Sequence, residues 1–463
     1  MKEDSTVLGS IYERFVQETP AAVMVRAALE RCLGPQTINE LFEQHALGQY
    51  TRTLLFSTVF TLLCETVCGV HGSVHAAYQS HDREVGTSVV ALYDKLKATE
   101  PAIVAALVSH TARELGPVLE QMGGARPSPL PGWRVRILDG SWLESTEHRL
   151  KVLRSLKDAP LPGKALVVLD PALQLVQAVV PCEDGHAQER ALLPQAAELV
   201  QRGELWLGDR NLCTLGWVEQ IEARGSGFVA RQHAGFPVEP LEEFRVVGRS
   251  PTGLVSEQRV RVRLPHQGVR EWRRVQLDQP TRNGEREILL ITNLPANTAD
   301  ALQVAELYRG RWTIERVFQE IAMALNCEIN TLAYPRAALF GLCVGLVAYN
   351  ALAVAQAALR AAHGALTVEQ EISGYYLAQE FKNTNRGLDV AMPERVWVQF
   401  RQMSPQAFAM ELVRIAKQTT LTKYKKHPRG PKKQPPTRRW LGKGKGSHVS
   451  TARLLLAAKG KSK

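Results

Sequence analysis

Apolar and polar positions change their period twice along this chain of 463 residues. Between about residues 10 and 125 apolar residues recur at helical spacing. Leu41, Phe42, Ala46 and Leu47 mark one helix, and Thr53 to Val70 a longer, more apolar one. Ser88 to Leu96 and Pro101 to Met122 predict two more. The segment Gly123 to Gly132, with three prolines and three glycines, reads as a linker. After it the period drops to two. Trp133 to Asp139 predicts a strand, and Ala165–Leu169 with Leu173–Val180 a hairpin turning at Asp170-Pro171. A helix from Gly185 to Arg202, a short strand Glu204 to Asp209, a helix Leu215 to Ala223 and a strand Gly227 to Arg231 follow. Residues of about 236 to 285 alternate Val, Arg, Leu and Glu between turn residues and predict a β-rich insertion. Ile288 to Leu294 returns as a strand. Pro295 then turns the chain into a helix capped by Thr298 or Asp300. From Pro335 to about Lys417 the helical period resumes.

These changes predict an α/β protein with a helical N-terminal domain over 1–125, an α/β core over 126–332, a helical C-terminal region over 333–416 and a tail over 417–463. The longest apolar stretch, Ala337 to Ala358, carries Asn350 and Gln356 and reads as a buried helix rather than a membrane span. The start, Met-Lys-Glu-Asp-Ser, has no apolar run behind it and does not read as a signal peptide. Seven scattered cysteines suggest no disulfide framework, which favours a reducing cytoplasm. Cys64, Cys68 and His71 could mimic a metal cluster, but they lie in an apolar helical stretch without a fourth ligand.

Charge separates the tail from the rest. The chain carries +11, while the residues from Lys417 onward hold fifteen Lys or Arg and no acid, which leaves −4 for everything before them. Lys425, Lys426, Lys432, Lys433, Arg438 and Arg439 stand among prolines. Such a segment is expected to be extended or flexible and suited to tracking a phosphate backbone.

Three carboxylates stand out. Asp139 closes Arg-Ile-Leu-Asp and Asp209 closes Leu-Trp-Leu-Gly-Asp, both at strand ends, where α/β sheets place functional groups. The third is Glu315, in Tyr308-Arg-Gly-Arg311-Trp-Thr-Ile-Glu315-Arg-Val-Phe318. On one continuous helix Tyr308, Arg311 and Glu315 share a stripe, beside an apolar stripe of Ile314, Phe318, Ile321 and Leu325. Like charges this close would push a proton onto one carboxylate, and a pair of divalent cations resolves the conflict. Magnesium suits such an oxygen site. Weaker readings attach to neighbouring groups. Asp170 reads as a turn residue, His186 as a local hydrogen-bonding group, and Glu189 as either an accessory carboxylate or part of a solvated face. Glu320 lies off the Tyr308–Arg311 stripe.

Asp139, Gly208-Asp209-Arg210 and Tyr308-x2-Arg311-x3-Glu315 together resemble the DDE transposases of bacterial insertion sequences, with the signature Y-x2-R-x3-E-x6-K of the IS-four family. The resemblance runs from about Asp139 to Phe318. It implies an RNase H-like core, a mixed five-stranded sheet with flanking helices interrupted by the β insertion. It implies Asp139, Asp209 and Glu315 as catalytic residues and ligands of two Mg²⁺ ions, with Mn²⁺ as a substitute. Tyr308, Arg311 and Arg210 would contact DNA, and Trp272 of the insertion would stack on an extruded base. The expected activity is cleavage of terminal inverted repeats and strand transfer to target DNA, by a homodimer in a synaptic complex, through a hairpin intermediate, in a bacterial cytoplasm. Other RNase H-like nucleases and a decayed, purely DNA-binding copy are the alternatives. One position departs from the signature: Ala322 stands where Lys is expected. Arg316 or a residue of the tail supplies that contact, or it is missing.

Overall fold

In the computed structural model, residues 2–49, 53–251, 253–278, 287–427 and 447–460 are described. Lys432, Lys433, Arg438 and Arg439 lie outside the described residues.

Among the described residues twelve strands form, ten of them in one large mixed sheet and β2 with β12 in a second: β1 (Arg134–Trp142), β2 (Ala159–Leu161), β3 (Lys164–Asp170), β4 (Leu175–Cys182), β5 (Glu204–Gly208), β6 (Gly227–Arg231), β7 (Glu239–Pro240), β8 (Arg245–Ser250), β9 (Gly253–Leu264), β10 (Gly268–Asp278), β11 (Ile288–Thr292) and β12 (His448–Ser450). The sheet runs β4-β3-β1-β5-β6-β11-β10-β9-β7, with β8 on β9. Within it, β1, β3 and β4 are antiparallel, and β5 and β6 continue parallel to β1. This is the mixed five-stranded core that the sequence predicts. The insertion over 236–285 is not a separate module. Its strands β9 and β10 pair through β11 to β6 and extend the same sheet.

Period-two alternation sorts side chains onto the two faces. Ile137, Val167, Leu169, Leu205 and Leu207 pack toward the helical body. Leu138, Leu166, Val168 and Trp206 pack on the opposite face with Trp217, Phe228 and Trp272. Strand β3 is buried along its whole length, which explains its unbroken apolar run.

The predicted N-terminal and C-terminal helical regions turn out to be one body. Helix Pro335–His363, apolar all round, packs against Pro20–Cys32, Phe56–Val67, Pro101–Met122, Pro405–Lys417 and strand β4. It is long and apolar enough to cross a membrane, but its apolar window is wholly buried in the fold. Asn350 fastens this body to the sheet. Its Oδ1 accepts from Val176 N at 2.8 Å, while its Nδ2 donates to Val176 O and Thr111 Oγ1. Both groups of its amide are satisfied, as burial requires.

Three further expectations change. The helix expected over 185–202 shrinks to a 3₁₀ turn Glu189–Leu192 and a helix Leu193–Ala197, because Pro194 is tolerated only in a first helical turn. The helix expected from residue 300 onward is two helices, Ala301–Gly310 and Thr313–Ala324. Asp300 caps the first in a capping box with Gln303. The described end of the tail belongs to the fold. Strand β12 pairs parallel with β2, and the helix Thr451–Gly460 follows it. Ser450 and Arg453 both donate to Asp184, at 2.6 and 2.8 Å. Three backbone registers and a charged anchor hold this end against the core, so the expected flexibility does not apply to residues 447–460.

Candidate active site

Parallel pairing sets the first two carboxylates. Ile137 of β1 is in register with Leu207 of β5. Continuing that register by two residues brings Asp139 beside Asp209, on the face shared with Ile137 and Leu207. Adjacent strands lie about 4.8 Å apart, so the two carboxylates leave the sheet as neighbours. Asp209 Oδ1 accepts from Leu212 N at 3.0 Å, which fixes one side of its carboxylate and turns the chain toward the exposed Arg210. Asp139 Oδ1 accepts from Gly140 N at 3.0 Å.

Arg311 connects the third. The backbone between the two helices tightens into i→i+3 bonds, Arg311 N to Tyr308 O and Ile314 N to Arg311 O. Arg311 therefore points inward, only 7% exposed, while Glu315 in the first turn of Thr313–Ala324 remains half-exposed. Its guanidinium donates through Nη1 to Asp139 Oδ2 at 2.9 Å and through Nη2 to Glu315 Oε1 at 3.4 Å. The Tyr308 ring lies beneath it, with Cζ 5.8 Å from the centroid. Its Nε is buried without a partner.

The electrostatics follow from this crowding. Burial, reinforced by Asp209 and Glu315, pushes the Asp139 carboxyl up to about 6 against the opposing pull of Arg311 and Gly140. Burial also raises the Tyr308 hydroxyl, with Arg311 and Arg231 pulling the other way. Burial disfavours the charge of Arg311, but Asp139, Tyr308, Asp209 and Glu315 outweigh it and hold its pKa above the ordinary value.

The donor set consists of carboxylate oxygens, and a buried cationic group lies between two of them. That chemistry fits a hard divalent cation. Among the described residues the triad is not a group whose ligand atoms all lie within 4.8 Å of one another. The Arg311 guanidinium is the cation that Asp139 and Glu315 share here.

The remaining predicted contacts scatter. Trp272 is 3% exposed, its indole donates to Glu222 and its ring meets the edge of Phe228 at 5.0 Å. A ring this deeply buried offers no surface for a base, so the stacking role expected for it fails on burial. Lys425 and Lys426 are exposed but lie against the segment carrying Glu369 and Glu371, with Lys425 Nζ 3.3 Å from the Glu371 carboxylate. Asp170 is the turn residue expected, accepting from Ala172 N and Leu173 N and pairing with Arg136. The exposed His186 donates its backbone N–H to the Asp184 carboxylate.

Three groups gain interest. Trp312 and Trp142 are 60% and 58% exposed, one beside Arg311 and the other three residues beyond Asp139. The position of Trp312 within the Tyr-Arg-x-Arg-Trp run was a signal for it; nothing marked Trp142. Glu189 sits over Gly140: a Cβ there would meet its Oε1 at 2.3 Å, so the Glu189 carboxylate occupies the space that the absent side chain leaves. The same oxygen accepts from Trp142 Nε1 at 3.1 Å, which ties Glu189 to the rim of the site.

With this geometry in hand, residues 161–351 match the family model described as the transposase DDE domain. The match takes in Asp209, Tyr308, Arg311 and Glu315 and begins beyond Asp139. That stretch is similar to the DDE domain of transposase enzymes. Domains of this type use divalent metal ions. No curated protein matches the chain. A similar solved structure is the cryo-EM structure of the piggyBac transposase synaptic complex with hairpin DNA, with a TM-score of 0.36, 10% identity and 85% of each chain covered.

Proposed function

We propose that this chain is a transposase of the IS-four kind that binds the terminal inverted repeats of a bacterial insertion sequence, cuts the DNA ends and joins them to target DNA. The observation that carries the reading is the register that brings Asp139 beside Asp209, with Arg311 linking Asp139 to Glu315. Asp139, Asp209 and Glu315 would hold two Mg²⁺ ions, or Mn²⁺ in their place. Bound there, the ions supply an activated water or 3′-hydroxyl and stabilisation of the leaving oxygen. Tyr308 and Arg311 would hold a phosphate once the guanidinium leaves the carboxylates. Arg210 follows Asp209 at the surface, where it can meet the backbone of the same strand.

Two surfaces support DNA as the partner. Trp312 and Trp142 present exposed rings at the rim, suited to stack on an unpaired base in place of the buried Trp272. A cleft of about 550 Å³ lies against the helix of Glu315, lined by Arg126, Arg316, Arg360, Lys426, Tyr375 and Tyr376. Arg360 is 4% exposed with Nη2 unpartnered, and burial lowers its pKa to about 10. An arginine that is buried and short of an acceptor is suited to a phosphate oxygen. Arg316 and Lys426 belong to the helix and the start of the tail, the two sources expected to compensate for Ala322. Arg316 faces about 100° away from the Glu315 stripe, so it would grip a different phosphate from the one a lysine at 322 would reach. The reading includes a homodimer in the synaptic complex, a hairpin intermediate and action in the bacterial cytoplasm.

The test is cleavage of a duplex ending in the element's inverted repeat, with Mg²⁺, beside Asp209→Asn and Glu315→Gln. Wild type should cut and join to a plasmid target, and both variants should lose at least about 10³-fold. Cutting without joining would indicate a nuclease of related fold. Absence of cutting with retained repeat binding would indicate a silent DNA-binding copy.

A further inference from the structure

A second group of ligand-type side chains lies in the helical body, outside the carboxylate site. Helix Phe56–Val67 ends in a Schellman turn: Gly69 takes φ 75°, its N–H donates to Thr66 O at 3.1 Å, and Val70 N donates to Glu65 O at 2.8 Å. The reversal folds His71 back over the Glu65 side chain. Ser73 then caps the helix Val74–Ser80, and His81 follows at its C-terminal end. Two caps thus place two imidazoles on one carboxylate.

The distances have the dimensions of a coordination shell. Glu65 Oε2 lies 3.1 Å from His81 Nε2 and 3.5 Å from His71 Nε2, and one ligand atom from each residue falls within 4.8 Å of the other two. Zinc–nitrogen bonds of about 2.0–2.1 Å at tetrahedral angles place neighbouring ligand atoms about 3.3–3.4 Å apart. The two edges from Glu65 Oε2 bracket that figure. The Glu65 and His71 side chains are 11% and 13% exposed, so the carboxylate has little water to compensate its charge. A cleft of about 410 Å³ reaches Glu65 and His81 and leaves room for a water as fourth ligand.

We infer that Glu65, His71 and His81 form a zinc-class metal site that staples the 68–81 segment to the helical body, separate from the DDE carboxylates. Two imidazoles and a carboxylate select a borderline-soft ion, whereas three carboxylates select a hard one. The residues differ from the cluster that the sequence suggested. His71 is shared, but Glu65 and His81 replace Cys64 and Cys68. Ser80 Oγ lies 3.1 Å from His71 Nε2, a contact the ion would displace.

The experiment uses the full chain, stripped with chelator and titrated with Zn²⁺ and with Co²⁺. About one equivalent of zinc should survive desalting and raise the melting temperature. Cobalt should give the visible bands of a tetrahedral nitrogen–oxygen site without a thiolate charge-transfer band. His71→Ala and His81→Asn should weaken zinc at least about 100-fold, with circular dichroism showing each variant folded. Asp209→Asn with Glu315→Gln should bind zinc as wild type does. The inference is overturned if no zinc is retained, if zinc persists in both histidine variants, or if a thiolate band assigns the metal to Cys64 and Cys68.

Discussion

Arg311 Nη1 donates to Asp139 Oδ2 across 2.9 Å, and both side chains are shielded from water. A cation of the chain therefore stands where the carboxylates would need one. Removing it should be costly, because breaking a buried pair leaves an uncompensated charge worth about 3–5 kcal/mol. Arg311→Met is expected to destabilise the metal-free protein by about 3 kcal/mol in urea unfolding. Asp139→Asn added to it should recover most of the loss, since the double variant buries no lone charge. Equal destabilisation in single and double variants would show that Arg311 acts by packing alone.

The tryptophans separate packing from DNA contact. Trp272 fills the second core between Phe228 and Glu222, so Trp272→Ala should cost about 3–5 kcal/mol of stability. Trp312, 60% exposed, should leave stability unchanged when replaced by Ala. Its loss should weaken binding of a duplex with an unpaired base at the cleavage point by about 1–3 kcal/mol, read by fluorescence anisotropy. An effect of Trp312→Ala equal on fully paired and unpaired duplexes would remove the stacking role.

Some of this arrangement was legible in the chain. Asp139 and Asp209 stood out because each ends an apolar run abruptly, and parallel register then brings them together. The motif around Glu315 was legible as chemistry but not as shape. Periodicity alone continues through Arg311 and Trp312, whereas tight i→i+3 bonds there turn Arg311 inward. The union of residues 20–122 with 335–417 could not be read locally, because the contacts of helix Pro335–His363 join segments hundreds of residues apart. Trp272 shows a different limit. Alternation shows that a strand has two faces, but the helix that covers one of them comes from elsewhere. The Glu65–His71–His81 cluster was hidden for the same reason, since helix caps rather than sequence spacing bring its members together.

Acid titration offers an independent check near the end of the core. Burial, followed by Glu144, pushes the Glu328 carboxyl up to about 6. The folded state thus holds this proton more tightly than the unfolded chain. Its contribution is fully present below the unfolded value near 4.5 and is lost as pH rises through about 6. Glu328→Gln should then stabilise the protein above pH 7, by about 1 kcal/mol after allowing for partial exposure, and give no gain at pH 4. A constant offset between the two unfolding curves from pH 4 to 8 would exclude the titration.

Two roles expected of the tail can be separated by mutation. Its basic run includes Lys432, Lys433, Arg438 and Arg439, whereas residues 447–460 dock on the core through β12, Ser450 and Arg453. Replacing those four cations with Gln should flatten the slope of log K against log salt by about 3–4, at roughly 0.9 for each phosphate contact, and leave melting unchanged. Arg453→Ala and Ser450→Ala together should do the reverse. They remove the tail's two side-chain donors to Asp184 and should lower stability by about 1–2 kcal/mol while the salt slope holds. If neutralising the four cations lowered stability without changing the slope, the run would be part of the fold rather than a contact for DNA.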